Sequence, residues 1–152
     1  MKNMIFVLMI LALLFVFGCT PSDSAKNLNE AESQVEQYTP PSDGKITEEQ
    51  MNRYISTASM MSKELLVISE KVMAFKAKYG MKDETDLENL DKFGPGAKSD
   101  FEAIMKEWEQ KEANIYKTNN MSPSEFEWVA AGLTDPLNTE IQKKVEKALS
   151  GE

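Results

Sequence analysis

The chain has 152 residues, with 17 basic and 25 acidic side chains, a formal net charge of −8, no histidine and a single cysteine. A negative surface repels phosphate backbones, which argues against nucleic-acid binding. The absence of histidine excludes Ser-His and Cys-His catalytic pairs and the usual zinc sites, and one cysteine cannot form an internal disulfide. We therefore expect a non-enzymatic protein, without metal or cofactor, whose domain is stabilised by packing.

The amino-terminal segment is typical of an exported protein. Lys2 supplies one positive charge, and residues 4–17 form an unbroken apolar stretch. These 14 residues are too few to span a bilayer comfortably as a helix, which takes about 20. Their number fits the apolar region of a secretory signal peptide. One glycine, Gly18, separates the stretch from the single cysteine, Cys19, and polar residues come after it.

The residues before this cysteine, Val16-Phe17-Gly18-Cys19, resemble the lipobox of bacterial lipoproteins, although the class prefers a small residue where Phe17 stands. The resemblance implies a signal peptide over residues 1–18, cleavage before Cys19, and a diacylglycerol on the cysteine sulfur. A fatty acyl chain such as palmitate often follows on the new amino group, and two or three chains give stable membrane attachment. The implied location is the cell envelope, in the outer membrane if the cell has two. The alternative is an uncleaved apolar anchor with an incidental cysteine.

The predicted lipid site is followed by a flexible tether, so that residues 19–45 lie between the signal peptide and the folded domain. The first part of this segment is polar, and Tyr38-Thr-Pro-Pro-Ser-Asp-Gly-Lys45 is rich in residues that interrupt helices and strands. We expect the folded domain to begin at Ile46 and to occupy residues 46–152.

A long helix is predicted over residues 48–79. Thr47 and Gln50 have the spacing of a capping box at its start, and Gly80 follows its last residue. Apolar side chains recur along it in alternating steps of three and four, a heptad pattern held for four repeats. We call these positions the heptad seam: Met51, Tyr54, Ala58, Met61, Leu65, Ile68, Val72, Phe75 and Tyr79.

The same helix carries apolar residues that lie off the heptad seam, on a different side. A helix with two apolar sides normally contacts two neighbours. We treat four of these residues as a candidate contact surface for a second copy of the chain or for another envelope protein: Met60, Leu66, Val67 and Met73. The alternative is that the shorter helices of the domain cover them.

Three or four shorter helices are predicted after the long one. The first lies within Asp83–Lys92, with Thr85 and Glu88 spaced as a capping box, and the second covers about 97–118. A third begins at the cap Ser122, and a break at residues 134–136 precedes a last amphipathic stretch. The sequence contains no convincing strand pattern. The predicted fold class is therefore all-α, a small helical bundle with one long amino-terminal helix.

Aromatic side chains form a second candidate site. Methionine and aromatic residues are common on surfaces that bind varied peptides, because these side chains are large and adaptable. Five aromatic residues are candidates for a shared groove that binds a helix, an unfolded segment or a lipid: Tyr54, Trp108, Tyr116, Phe126 and Trp128. An ordinary bundle core built from the same residues is the interpretation that we favour.

The expected function is that of a membrane-anchored bacterial lipoprotein, acting as a non-enzymatic protein-interaction module in the cell envelope. Its expected partners are the membrane, through the lipid on Cys19, and an envelope protein or a second copy of itself. The acidic composition favours basic partners. A helical carrier of a small apolar ligand or lipid is the alternative, and it requires a cavity between the helices. The mature domain is broadly similar to the small helical lipoproteins of unknown function that many bacteria carry.

The lipobox hypothesis predicts that the Cys19→Ser variant cannot be lipidated, because serine offers no sulfur for the diacylglycerol. Cells that express the full-length chain are grown with a clickable fatty acid, and the chain is then examined for label. We expect labelling of the parent chain and none of the variant. The neighbouring Thr20→Ser variant, which keeps the cysteine, is the control and should be labelled. Label that persists in Cys19→Ser would remove the lipobox hypothesis.

Overall fold

The computed structural model describes residues 38–151; the predicted signal peptide, Cys19 and most of the predicted tether lie outside this range. Within it, the structure contains α-helices and two 3-10 segments and no strand. The elements in chain order are α1 (Glu48–Tyr79), a 3-10 segment (Glu84–Phe93), α2 (Pro95–Thr118), α3 (Pro123–Gly132), a 3-10 turn (Pro136–Asn138) and α4 (Thr139–Ser150). The predicted all-α fold, with one long helix packed against shorter ones, is confirmed.

The two ends of α1 are formed by local signals. At its start the side chain of Thr47 accepts a hydrogen bond from the backbone N–H of Gln50 at 3.2 Å, and Gln50 Oε1 accepts from the backbone N–H of Thr47 at 2.9 Å. At its end Gly80 adopts a left-handed φ of 67°, and its N–H donates to the carbonyl of Ala77 at 3.2 Å. A residue without a Cβ adopts this conformation at little cost, so glycine ends the helix here.

The heptad seam faces inward along the whole of α1. Met61 and Ile68 are buried in one cluster with Trp108 and Ile115 of α2. Phe75, near the end of α1, lies in a second cluster with residues of the 3-10 segment and the start of α2, and the first turns of α1 join a third cluster with α3 and α4. The seam is thus used inside the domain and is not a free surface for another chain.

Ion pairs define how α1 and α2 are aligned. Three pairs join the two helices, and the residue number on α2 rises as the number on α1 falls: Lys78–Asp100, Lys71–Glu107 and Glu64–Lys111. The helices are therefore antiparallel. Such exposed pairs each contribute about 0–1 kcal/mol, so they fix the alignment more than they stabilise the fold.

The contacts of the domain begin before Ile46, inside the segment expected to be a flexible tether. The ring of Tyr38 lies 5.6 Å from that of Trp128, and its hydroxyl accepts a hydrogen bond from Gln50 Nε2. The backbone N–H of Tyr38 donates to Ser124 Oγ at 3.4 Å. The prolines and glycine of this segment predict an irregular backbone correctly, but they carry no information about what the segment packs against.

Two helix starts differ from the predicted ones. Gly94, with a φ of 94°, leads directly into Pro95 as the first residue of α2, two residues earlier than expected. Proline fits this position because the N–H it lacks would have no partner there. The 3-10 segment is capped by Asp83 and not by Thr85, because the side chain of Asp83 accepts from the Thr85 N–H at 2.9 Å.

Asn138 is a buried polar residue that joins three segments of the chain. Its Oδ1 accepts a hydrogen bond from the backbone N–H of Ile46 at 3.0 Å. Its Nδ2 donates to the carbonyls of Gly132 at 3.0 Å and Gly44 at 3.2 Å. The residue is only 3% exposed; its bond to Ile46 is buried, and those to Gly132 and Gly44 are partly buried. One amide thereby connects the residues before α1, the end of α3 and the turn before α4.

Replacing Asn138 by alanine should destabilise the domain by about 2–3 kcal/mol, because a buried N–H and two carbonyls lose their partner. Urea unfolding of the Asn138→Ala variant, followed by circular dichroism, measures the change. Asn114 is exposed near the end of α2, so Asn114→Ala is the matched control; alanine is the better helix former, and this substitution should not destabilise the domain. Equal effects of the two substitutions would contradict the assigned role of Asn138.

Candidate functional site

An exposed apolar surface lies on α1, on the side away from α2. Leu66, Val67 and Met73 are 59%, 45% and 60% exposed, and all three belong to the predicted contact surface. Ala74 and Ala77, on the same side of the helix, are also exposed. The shorter helices therefore do not cover this part of α1. Exposed apolar side chains grouped on one face are typical of contact surfaces.

Met60, the fourth residue of the predicted surface, is half-buried and does not belong to it. It packs against the cluster that holds Met61 and Trp108, and its sulfur accepts a hydrogen bond from Asn119 Nδ2 at 3.4 Å. Met60 lies beside the carboxyl end of α2, whereas Met73 lies on the far side of α1. The prediction was wrong for Met60 because its position along the antiparallel pair puts it next to Asn119.

Two charged residues lie among the exposed apolar ones. Lys63 and Glu70 are exposed, seven residues apart, and so lie on the same side of α1. The ion pairs found within residues 38–151 include neither of them, whereas Glu64, Lys71 and Lys78 are all paired with α2. We call the exposed set the α1 strip: Lys63, Leu66, Val67, Glu70, Met73, Ala74 and Ala77. Its two charges were not singled out by the sequence, because their lack of partners depends on the fold.

The five aromatic candidates for a groove are packed against one another and against the core. The rings of Tyr54 and Phe126 are stacked at 4.7 Å, and Tyr116 meets the ring of Phe126 edge-on at 5.9 Å. Trp108 is 5% exposed in the core between α1 and α2, and Trp128 contacts Tyr38. Three of the five, Tyr54, Tyr116 and Phe126, thus form an aromatic cluster that is packed like a bundle core.

Acidic side chains lie close to Tyr116 of the aromatic cluster. Burial raises the pKa of the Tyr116 phenol well above its usual value, and the nearby Glu112 and Glu127 raise it further. The pKa of the Glu112 carboxyl is also raised, first by partial burial and then by repulsion from Glu109. No ion pair of the described chain neutralises these three glutamates. The local potential around Tyr116 is therefore negative.

No match identifies this chain. Comparisons with protein-family models, with curated proteins and with solved structures each returned none. Within residues 38–151, no helix has the length and apolar character needed to cross a membrane. The same residues contain no group of three or more acidic, histidine or cysteine side chains arranged to hold a metal ion.

An open depression of about 200 Å³ lies at the 3-10 segment, lined by Leu87, Glu88, Leu90, Asp91 and Lys98. Its lining includes none of the five aromatic candidates for a groove, and three of its five lining residues are charged. The carrier hypothesis calls for an apolar cavity between helices, and this depression does not have that character. The α1 strip is the feature of the described chain that most resembles a binding surface.

The exposure of the α1 strip predicts a contrast between two methionines. In Met73→Lys the new charge stays in water, so the free energy of unfolding should change by less than about 0.5 kcal/mol. In Met60→Lys the side chain must leave a packed position beside Asn119, and a loss of more than about 1 kcal/mol is expected. Urea unfolding of both variants measures the difference. A large loss for Met73→Lys would show that the strip is covered.

The raised pKa of Glu112 predicts a pH-dependent stability. Folding disfavours the ionised form of this carboxyl group, so Glu112 lowers the stability of the domain at pH 7. As the pH falls through the raised pKa and then below the ordinary value of 4.5, the group becomes neutral in both states and this loss of stability disappears. Glu112→Gln should therefore be more stable than the parent chain at pH 7 and no more stable at pH 4. Thermal unfolding at both values measures this, with the exposed Glu102→Gln as control. A gain at pH 4 as large as that at pH 7 would contradict the argument.

Proposed function

We propose that this chain is a membrane-anchored bacterial lipoprotein whose helical domain acts as a non-enzymatic protein-interaction module in the cell envelope. The lipid on Cys19 is its attachment to the membrane, and the α1 strip is its contact surface. The lipobox at residues 16–19 supports the anchor, and the α1 strip supports the interaction. Both parts of the proposal concern the same molecule, but each has its own test.

The observation that carries the interaction is the exposure of Leu66, Val67 and Met73 on the outer side of α1. Elsewhere on this helix the apolar positions of the heptad seam are buried or half-buried against other elements. Burying an apolar side chain is worth about 1.5–3 kcal/mol, and the three exposed residues forgo about half of this gain in the isolated domain. A partner laid along the α1 strip recovers it.

Membrane anchoring makes a weak contact effective. A protein confined to a membrane meets other proteins of that membrane at a high effective concentration, so a small surface is sufficient for association. The acidic side chains close to Tyr116, together with the net charge of −8, favour partners with a basic face. This charge also argues against the domain itself lying on anionic lipid, so that the strip stays available to proteins.

Photocrosslinking in living cells tests this function. The photoreactive amino acid benzoylphenylalanine replaces Leu66 in the full-length chain, and the same amino acid replaces the exposed Glu102 on α2 as the matched control. Irradiation should give a discrete adduct for position 66 in the membrane fraction and none for position 102. The adduct mass, after subtraction of this chain, gives the size of the partner.

The Cys19→Ser version of the same chain separates the anchor from the contact. Loss of the chain from the membrane fraction, with a weaker adduct at position 66, is expected if membrane confinement assists the contact. A chain that stays in the membrane without Cys19 would overturn the anchor. Equal adducts at positions 66 and 102, or none at either, would overturn the contact surface.

A further inference from the structure

We propose that the α1 strip binds the α1 strip of a second copy of this chain, with the two helices antiparallel. This inference rests on the proposed function, since it names the partner of the same surface. It is carried by the pattern of charged and apolar residues along the strip, which is complementary to itself in one orientation only.

The charges of the α1 strip select the antiparallel orientation. Lys63 and Glu70 flank Leu66 and Val67 on either side, and no ion pair within the described residues uses them. A two-fold axis that passes between residues 66 and 67 places Lys63 of each copy beside Glu70 of the other. Parallel helices would place lysine against lysine and glutamate against glutamate, which is unfavourable.

The central apolar residues fit the same axis. Leu66 and Val67 of both copies meet at the centre, whereas Met73 of each copy lies outside the other copy's α1 strip, opposite Ser59 and the half-buried Met60. The positions 63, 66, 70, 73 and 77 alternate in steps of three and four, which is the period that keeps two packed helices facing each other. α1 thus has two heptad faces. The heptad seam packs against the rest of the domain, and the α1 strip is exposed.

The size of the α1 strip predicts a weak dimer. Stable protein interfaces bury about 800 Å² on each partner, and three large apolar side chains with two alanines provide much less. Two copies with a net charge of −8 each also repel one another at a distance. The dimer should therefore dissociate in dilute solution and form where the chain is concentrated, as on a membrane.

Disulfide trapping of the full-length chain in isolated membranes tests the dimer. Val67→Cys puts a thiol next to the proposed axis, and a mild copper oxidant joins two such thiols when the strips face each other. A disulfide-linked dimer is expected for Val67→Cys and none for Ala103→Cys, which puts a thiol on the exposed side of α2. The parent chain, with Cys19 alone, controls for any free thiol at that position.

Charge reversals, made in the Val67→Cys background, then test the orientation. Lys63→Glu and Glu70→Lys each replace two attractive pairs by two repulsive ones, so each should lower the association constant by about tenfold. The double variant Lys63→Glu with Glu70→Lys restores both pairs between antiparallel copies and should recover the dimer. A double variant that stays as weak as the single ones would overturn the antiparallel arrangement.

The outcomes distinguish this inference from the function on which it rests. An adduct of position 66 with a different protein, and no Val67→Cys dimer, would overturn self-association and leave the interaction module standing. A Val67→Cys dimer that persists in concentrated solution after Cys19→Ser, from a chain no longer found in membranes, supports the dimer by itself. A chain that gives neither adduct nor dimer would overturn both.

Discussion

Packing along the inner face of α1 is the interaction on which the rest of the domain depends. All three buried clusters of residues 38–151 include residues of this helix: α3 and α4 pack against its first turns, and α2 packs along the rest of it. The three shorter α-helices have 24, 10 and 12 residues, and short isolated helices are marginal in water. Their stability therefore comes from the apolar face that α1 offers them.

Charged residues divide the surface of α1 into two zones. On the edges next to α2, basic and acidic side chains are paired across the helices, as Lys71 is with Glu107. On the opposite side Lys63 and Glu70 have apolar neighbours, and neither forms an ion pair within the described chain. Leu66 and Met73 lie on this opposite side and are exposed, so their side chains add little to the packing of the domain.

Local signals in the sequence predicted the fold well. The capping box at Thr47, the glycine at 80 and the heptad period are all encoded within a few residues of where they act, so the bounds of α1 followed directly. Contacts between distant residues were not predictable in this way. Ile46 and Asn138 are 92 positions apart, and Tyr38 and Ser124 are 86 apart, so neither contact leaves a pattern in the sequence.

The candidate site was predictable in part for the same reason. Helical periodicity placed Leu66, Val67 and Met73 away from the heptad seam, and this assignment needs only the geometry of one helix. Whether a second helix ends beside such a residue depends on the loop lengths and the antiparallel alignment, and this is where Met60 was misplaced. For the aromatic residues two interpretations stayed open, because composition alone does not separate a groove from a core.

The position of Tyr38 has a mechanical consequence. Its ring and backbone are held by Trp128 and Ser124 of α3, and its hydroxyl by Gln50 of α1. Tension on the chain from its amino-terminal side therefore enters the domain through two helices at once and is not concentrated on the first turn of α1. The hydrogen bonds of Asn138 to Gly44 and Ile46 resist the same tension further along the chain. A domain pulled from this end loads Tyr38 first, and the bond from Gln50 to its hydroxyl passes part of that load to the capping box of α1.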